Sequence, residues 1–276
     1  MPYIISRGGD ISWFDISKLP QTERNIQISI NNPHELRLPG YEHIGIQQEP
    51  ENYLKNRELY IQNYENFDKI LAYDEYVLTS CPNALHYIPA SSWILPEIYE
   101  NINIQRKKRQ ISTLTGSKNF IFPGHPYRRL LYFNQLNIKL AIPITWFRSS
   151  AGEILPEINN NPCIPTSRES KKDLFLDYQF SLVIENTKEK NMFTEKLIDC
   201  LITKTIPIYF GCTNIENWFD TTGWIILETP TIEEFTTKCQ NIPNYEDYTT
   251  VINYNYEQAK KYSSYFKNVS DALQLS

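Results

Sequence analysis

Phe180-Ser181-Leu182-Val183-Ile184-Glu185-Asn186-Thr187 opens a stretch that continues through Thr194-Glu195-Lys196-Leu197-Ile198-Asp199 and closes on Ile206-Pro207-Ile208-Tyr209-Phe210-Gly211. The apolar run 180–185 predicts a strand, the periodicity over 193–203 a helix, and 206–210 a second strand. Strand, helix and strand in about thirty residues make a βαβ unit, whose two strands run parallel. The fold class is therefore α/β, and such sheets take their ligands at the carboxyl ends of their strands.

The turn between the first strand and the helix lies at such an end. Asn191 there predicts a helix cap, leaving the first backbone N–H groups to face an anion. Lys196 adds a full positive charge nearby, and Glu195 beside it suits a ligand that also carries vicinal hydroxyls. On chemistry alone the Glu195-Lys196 pair reads first as a solvated helix face, and Asn186 as a turn residue.

Outward from this unit, 224–227 predicts a further strand, 231–240 a helix, and 245–275 a mostly helical end. Upstream, 125–136 predicts a helix with Arg128 and Arg129 in its first turn, and the Asn- and Pro-rich segment 159–168 a loop. In the first half, 26–30, 43–47 and 69–73 read as strands and 54–64 as a helix. The polar, basic segment 101–110 marks a composition shift and a candidate boundary. It divides the chain into residues 1–110, residues 111–255 and a terminal helix over 256–276.

Composition narrows the function. Among 276 residues the formal charge is −5, which argues against a general nucleic-acid surface, and the basic run Arg106-Lys107-Lys108-Arg109 reads as a solvated face. Five scattered cysteines without a CxxC pair predict neither a disulfide framework nor zinc, and four dispersed histidines predict no structural metal. The N-terminal stretch 1–10 lacks the apolar core of a signal peptide, and no run approaches a membrane span. The expectation is a soluble, cytoplasmic protein. Nineteen tyrosines suit sugar handling and ordinary half-buried packing equally.

The three quoted blocks, in their order and spacing, resemble the signature of the α-1,3/1,4-fucosyltransferase family. That pattern runs Y-K-F-x-L-x-F-E-N-S, a polar turn, T-E-K-[IL], then a helix into [IV]-P-[IV]-x-x-G. The resemblance implies a GT-B fold: two facing Rossmann-like domains with the active site in the cleft between them. It implies an inverting transfer of L-fucose from GDP-fucose to a glycan hydroxyl, with no cofactor or obligatory metal. Donor-binding roles pass to Asn186, Thr194, Glu195 and Lys196. Met192 stands where many members carry a tyrosine, and a thioether cannot donate a hydrogen bond.

Two further elements fit the same pattern. Pro126-Tyr127-Arg128-Arg129-Leu130-Leu131-Tyr132 resembles the family's P-x-R-x-x-[FL]-Y and points to Arg128 for the diphosphate, which a guanidinium grips bidentately. Gln47-Gln48-Glu49-Pro50, followed by Phe67-Asp68-Lys69-Ile70-Leu71-Ala72-Tyr73-Asp74, resembles the acceptor-side pair of elements and points to Glu49 as base. Gln48 replaces a glycine there and the interval is longer, so Glu51 and Glu42 stay as alternatives. A UDP-xylose or UDP-galactose donor, or a glycan-binding module that kept the fold, are the competing readings. Trp93 reads either as a sugar platform or as a packed aromatic.

Overall fold

Short β-branched runs separated by polar turns give eleven strands among the described residues, all parallel to their neighbours. The computed structural model describes residues 3–7, 15–150, 153–165 and 170–275. Residues 1–2 and 8–10 of the N-terminal stretch, and 166–168 of the loop read above, lie outside them. The chain divides into two compact units. One comprises the chain up to Ala90, Lys190–Met192 and the chain from Ser264 on; the other comprises Ser91–Glu189 and Phe193–Ser263. The composition shift at 101–110 is thus not where the units part, because the segment that feeds the second sheet starts earlier, at Ser91.

Unit 1 holds β1 (Tyr3–Arg7), β2 (Ile26–Ile30), β3 (Glu42–Ile46), β4 (Lys69–Ala72) and β5 (Ala84–His86), paired in that order. The predicted helix over 54–64 is two pieces, α1 (Glu51–Leu54) and α2 (Arg57–Gln62), broken at Lys55 with φ 54°. The break persists because the Glu51 carboxylate accepts the Arg57 N–H at 2.8 Å and so starts a new helix. Helix α3 (Glu75–Ser80) is capped by Asp74, which accepts from Tyr76 N–H and pairs with Arg57 at 2.6 Å.

Unit 2 holds α4 (Pro96–Tyr99), β6 (Lys108–Thr115), α5 (Gly124–Phe133), β7 (Ile144–Ser149), β8 (Cys163–Ile164), β9 (Tyr178–Ile184), α6 (Glu195–Ile202), β10 (Ile206–Phe210), β11 (Ile225–Ile226), α7 (Ile232–Lys238) and α8 (Thr249–Lys261). Its sheet runs β11-β10-β9-β6-β7-β8. Counted within the unit this is the doubly wound order, and its direction of winding reverses between β6 and β9. In doubly wound sheets the connections leaving two such strands run to opposite sides, so ligands bind outside their carboxyl ends. The buried stripe of Phe180, Leu182, Ile184, Ile206, Ile208 and Phe210 anchors the core beneath it.

Helix α9 (Tyr265–Leu273) returns to unit 1. There Tyr265, Val269 and Leu273 pack on Ile26, Ile28, Ile30, Ile44 and Ile46, while Tyr60, Phe67 and Val77 pack with Ile70 and Ala72 in a separate cluster. Burial of three such side chains supplies about 1.5–3 kcal/mol each. The terminal helix is therefore part of the first unit's core. The run Arg106–Arg109 is not wholly solvated either. Lys107 is buried, and its ammonium donates to Phe175 O at 2.8 Å, Tyr178 O at 3.0 Å and Thr205 Oγ1 at 2.8 Å. Burial pulls its pKa down to about 7. Among the described residues no helix is long and apolar enough to cross a membrane.

Candidate active site

At the switch point of unit 2 the start of α5 meets the end of β9. Gly124 N–H donates to Asn186 O at 3.0 Å, and a Cβ on Gly124 would lie 1.7 Å from Glu185 O. Only glycine lets the helix come this close. The approach delivers Arg128, one turn further on, onto the same strand end. Its guanidinium donates to Ile184 O at 2.6 Å and to Asn186 Oδ1 at 2.8 Å. Burial lowers Arg128 to about 10, with Glu185 and Glu195 opposing, so it remains a full cation at neutral pH.

Arg128 also points an N–H at His125 Nδ1, 3.3 Å away. The same nitrogen lies 3.3 Å from Lys118 O, which only accepts, so Nδ1 donates to that carbonyl in one tautomer and accepts from Arg128 in the other. Burial, aided by the Arg128 charge, pushes His125 down to about 4. An unfolded chain binds a proton at this histidine below about 6.5, whereas the folded one resists it. Stability is therefore complete above that value and falls as pH drops toward 4. Thermal melts between pH 4 and 7 are expected to show a shallower acid loss for His125→Gln than for the unsubstituted chain.

The polar turn ends differently from the sequence expectation. Asn191 does not cap α6: it has φ 59°, its side chain donates to Tyr73 O at 3.1 Å, and it belongs to unit 1. Thr194 is the N-cap. Nor does the N–H of the cap residue stand free. The buried Glu185 carboxylate accepts from Thr194 N–H at 2.9 Å and from the Thr194 hydroxyl at 2.6 Å. A carboxylate of the chain itself thus occupies the favoured anion position at the helix N-terminus. Room for it comes from Gly211, where a Cβ would approach Glu185 Cγ to 2.6 Å.

Lys196 sits over this arrangement. Its ammonium lies 3.1 Å from Thr194 Oγ1, 3.1 Å from Glu195 Oε1 and 3.6 Å from Glu185 Oε2. Burial pushes its pKa down, but the two carboxylates more than reverse this and hold it above its ordinary value. Burial likewise raises Glu195, yet Lys196 and Lys171 with hydrogen bonds from Lys196 and Thr194 bring it to about 2. Two cations, Arg128 and Lys196, therefore balance two carboxylates around one strand end. Such a set suits a ligand carrying both anionic oxygens, for the cations, and hydroxyls, for Glu195.

The structure brings together Arg128, Asn186, Thr194, Glu195 and Lys196, all in unit 2. Glu49 lies in unit 1, just past the carboxyl end of β3, where its N–H donates to Asn31 Oδ1 at 3.2 Å. Of its rivals, Glu42 is at the opposite end of β3, paired with Arg24 and with Lys69 at 3.7 Å. Glu51 is committed to the start of α2. Trp93 is half-buried and carries the Lys171 ammonium 4.8 Å from its ring centroid, so a cation already holds one side of it. Sequence reasoning missed Glu185, Gly124 and His125 as members of the site. The available signals were a carboxylate ending an apolar strand and a glycine opening a helix.

Comparison with known proteins settles the family. The sequence model of glycosyltransferase family 10 (fucosyltransferase), C-terminal part, matches residues 106–271, more than half of the chain. The chain belongs to glycosyltransferase family 10, the fucosyltransferases. Within this family it is similar to the α-(1,3)-fucosyltransferase FucT of Helicobacter pylori, with 33% identity over 57 residues, 21% of this chain and 12% of that relative. Among solved structures it is similar to S. aureus TarM in complex with fondaparinux, α-GlcNAc-glycerol and UDP, with a TM-score of 0.57 and 10% identity. That match covers 90% of this chain, which spans about half (55%) of TarM. An α,α-trehalose-phosphate synthase (UDP-forming) from Burkholderia xenovorans, in complex with glucose-6-phosphate, gives a TM-score of 0.55 at 11% identity, covering 92% of this chain and 73% of that one. At such identities the likeness concerns fold. This family 10 chain has the GT-B type of α/β architecture, each unit built on a parallel sheet.

Proposed function

We propose that the chain is an inverting transferase that moves L-fucose from GDP-fucose to a hydroxyl of a glycan acceptor. The observation that carries this reading is the set of two cations and two carboxylates at the β6–β9 switch point, within the residues matched to family 10. In it Arg128 and Lys196 hold the donor diphosphate and stabilise its charge as the bond to the sugar breaks. Glu195 accepts from donor hydroxyls, Thr194 keeps Lys196 aimed, and Asn186 contacts the donor while fixing the Arg128 fork.

Glu49 takes the proton of the attacking hydroxyl, a role worth roughly 10²–10⁴ in rate. With two protein cations at the leaving group, the reaction proceeds without a divalent metal. Activity abolished by EDTA and restored by Mn²⁺ would contradict that. Release of free nucleotide from a panel of GDP- and UDP-sugars with glycan acceptors tests the whole reading. GDP-fucose is expected to be turned over fastest, and Lys196→Ala and Arg128→Ala to lose about 100-fold each. Turnover untouched by both substitutions would refute the site, and tighter binding of UDP than GDP would refute the fucose donor.

A further inference from the structure

Asp199 is fully buried on α6, one turn past Glu195 and Lys196. One oxygen, Oδ1, accepts from the Ser92 hydroxyl at 2.9 Å and from Trp93 N–H at 2.8 Å. The other, Oδ2, is buried without a hydrogen-bond partner, and the Lys171 ammonium stands off it at 3.8 Å. Ser92 N–H in turn donates to Ser263 O at 2.7 Å. Ser91 and Ser263 are the first and last residues of unit 2, so both ends of the unit meet at one spot. That spot is fastened to the helix bearing the donor residues by one carboxylate.

We propose that Asp199 is a positioning residue, holding the Glu195-Lys196 turn in register with the Ser92-Trp93 segment. This rests on the reading of Glu195 and Lys196 as donor ligands. A carboxylate in this place differs from an amide or alcohol because its hold depends on its charge. Ionised, Asp199 accepts at Oδ1 from Ser92 and Trp93, and its charge keeps the Lys171 ammonium beside Oδ2. Protonated, it presents an O–H where no acceptor lies, next to an ammonium, and the arrangement loosens. Burial raises its pKa to about 6, against the lowering effects of Lys171 and of the Trp93 and Ser92 hydrogen bonds. The ionisable groups that act on it are Lys171 from the turn before β9, Glu195 from its own helix, and the neighbouring Cys200, which burial keeps a thiol. Glu195, near 2, and His125, near 4, do not titrate in the same window. Lys107, near 7, does, but its ammonium lies against Phe175, Tyr178 and Thr205 and is not among the groups that act on Asp199.

Calorimetric binding of GDP-fucose between pH 5 and 8 tests the proposal. This probe is chosen because its esterified diphosphate does not titrate there, unlike the terminal phosphate of GDP, whose second ionisation falls near about 6. The unsubstituted chain is expected to bind about fivefold more weakly at pH 5 than at pH 7, approaching the roughly tenfold limit that one unit of difference between free and bound pKa gives below both values. Asp199→Asn keeps an oxygen for Ser92 and Trp93 but no charge, and is expected to bind weakly at every pH without the step. Lys171→Met leaves Asp199 in place and is expected to move the step to higher pH. A merely structural role would lower the melting temperature of Asp199→Asn and leave the step intact. A step retained in Asp199→Asn, or unmoved in Lys171→Met, overturns the proposal while the donor reading stands. If the unsubstituted chain binds neither GDP-fucose nor a UDP-sugar, the donor reading fails and this one with it.

Discussion

Gly124→Ala is expected to unfold the switch point of unit 2, because its new methyl group would sit 1.7 Å from the Glu185 carbonyl oxygen. Real Cβ atoms stay beyond about 3 Å of such an atom, so α5 or the end of β9 must move by more than an ångström. Neither is free to do so. Helix α5 carries buried Tyr127, Leu131 and Tyr132, and β9 is hydrogen-bonded on both edges, to β6 and β10. Overpacking a rigid core costs typically about 1–3 kcal/mol, and a clash with the backbone of Glu185 and Asn186 lies at the upper end or beyond. Displacement of α5 also carries Arg128 off Ile184 O and Asn186, so donor binding fails even in the fraction that stays folded. Denaturant melts and nucleotide titration on the same sample separate the two effects. An alanine variant with normal stability and normal binding would show that this contact is not what sets the position of α5.

The way this site is assembled explains which parts of it the sequence disclosed. Strands β2, β9 and β10 were legible because each is a dense β-branched or aromatic run bounded by polar turns. The βαβ unit followed from spacing alone. Strand β11 falls within the predicted 224–227, whereas β8, two residues inside the segment read as a loop, has too few positions to set any period. The boundary between units was hidden because α9 comes last in the chain but packs in the first unit's core. No local pattern records such a return.

At the site, Arg128, Asn186, Glu195 and Lys196 were found through resemblance, since charged residues at a helix start do not by themselves distinguish a binding site from a solvated face. What resemblance did not disclose is the internal electrostatics. Asn191 is a residue type that caps helices, yet the position belongs to Thr194, whose N–H and hydroxyl both donate to the Glu185 carboxylate. Lys196 was read beside Glu195 alone, but a second carboxylate, Glu185, also stands within 4 Å of it.

Glu185 is where that balance is tested most sharply. Glu185→Ala is expected to destabilise the chain by about 3–5 kcal/mol, the range seen when one partner of a buried charged pair is removed. The deletion leaves Thr194 N–H and the Thr194 hydroxyl without their acceptor and Lys196 without one of its two counter-charges. It also opens a cavity behind Gly211, where the Glu185 side chain now lies. Glu185→Gln separates shape from charge. The amide oxygen still accepts from Thr194 N–H, and its NH₂ donates to Thr194 Oγ1, so most of the stability returns. The charge does not. With one carboxylate fewer beside Lys196, the ammonium loses part of what holds its pKa above the ordinary value, and it is drawn more strongly toward Glu195. Because Glu195 is the group assigned to the donor hydroxyls, Glu185→Gln is expected to lower nucleotide-sugar affinity about tenfold, the effect of roughly 1.4 kcal/mol. Melting curves and donor titration on the Ala and Gln variants decide the matter. Were both variants to bind and melt like the parent, Glu185 would be a spectator to the helix start rather than its resident anion.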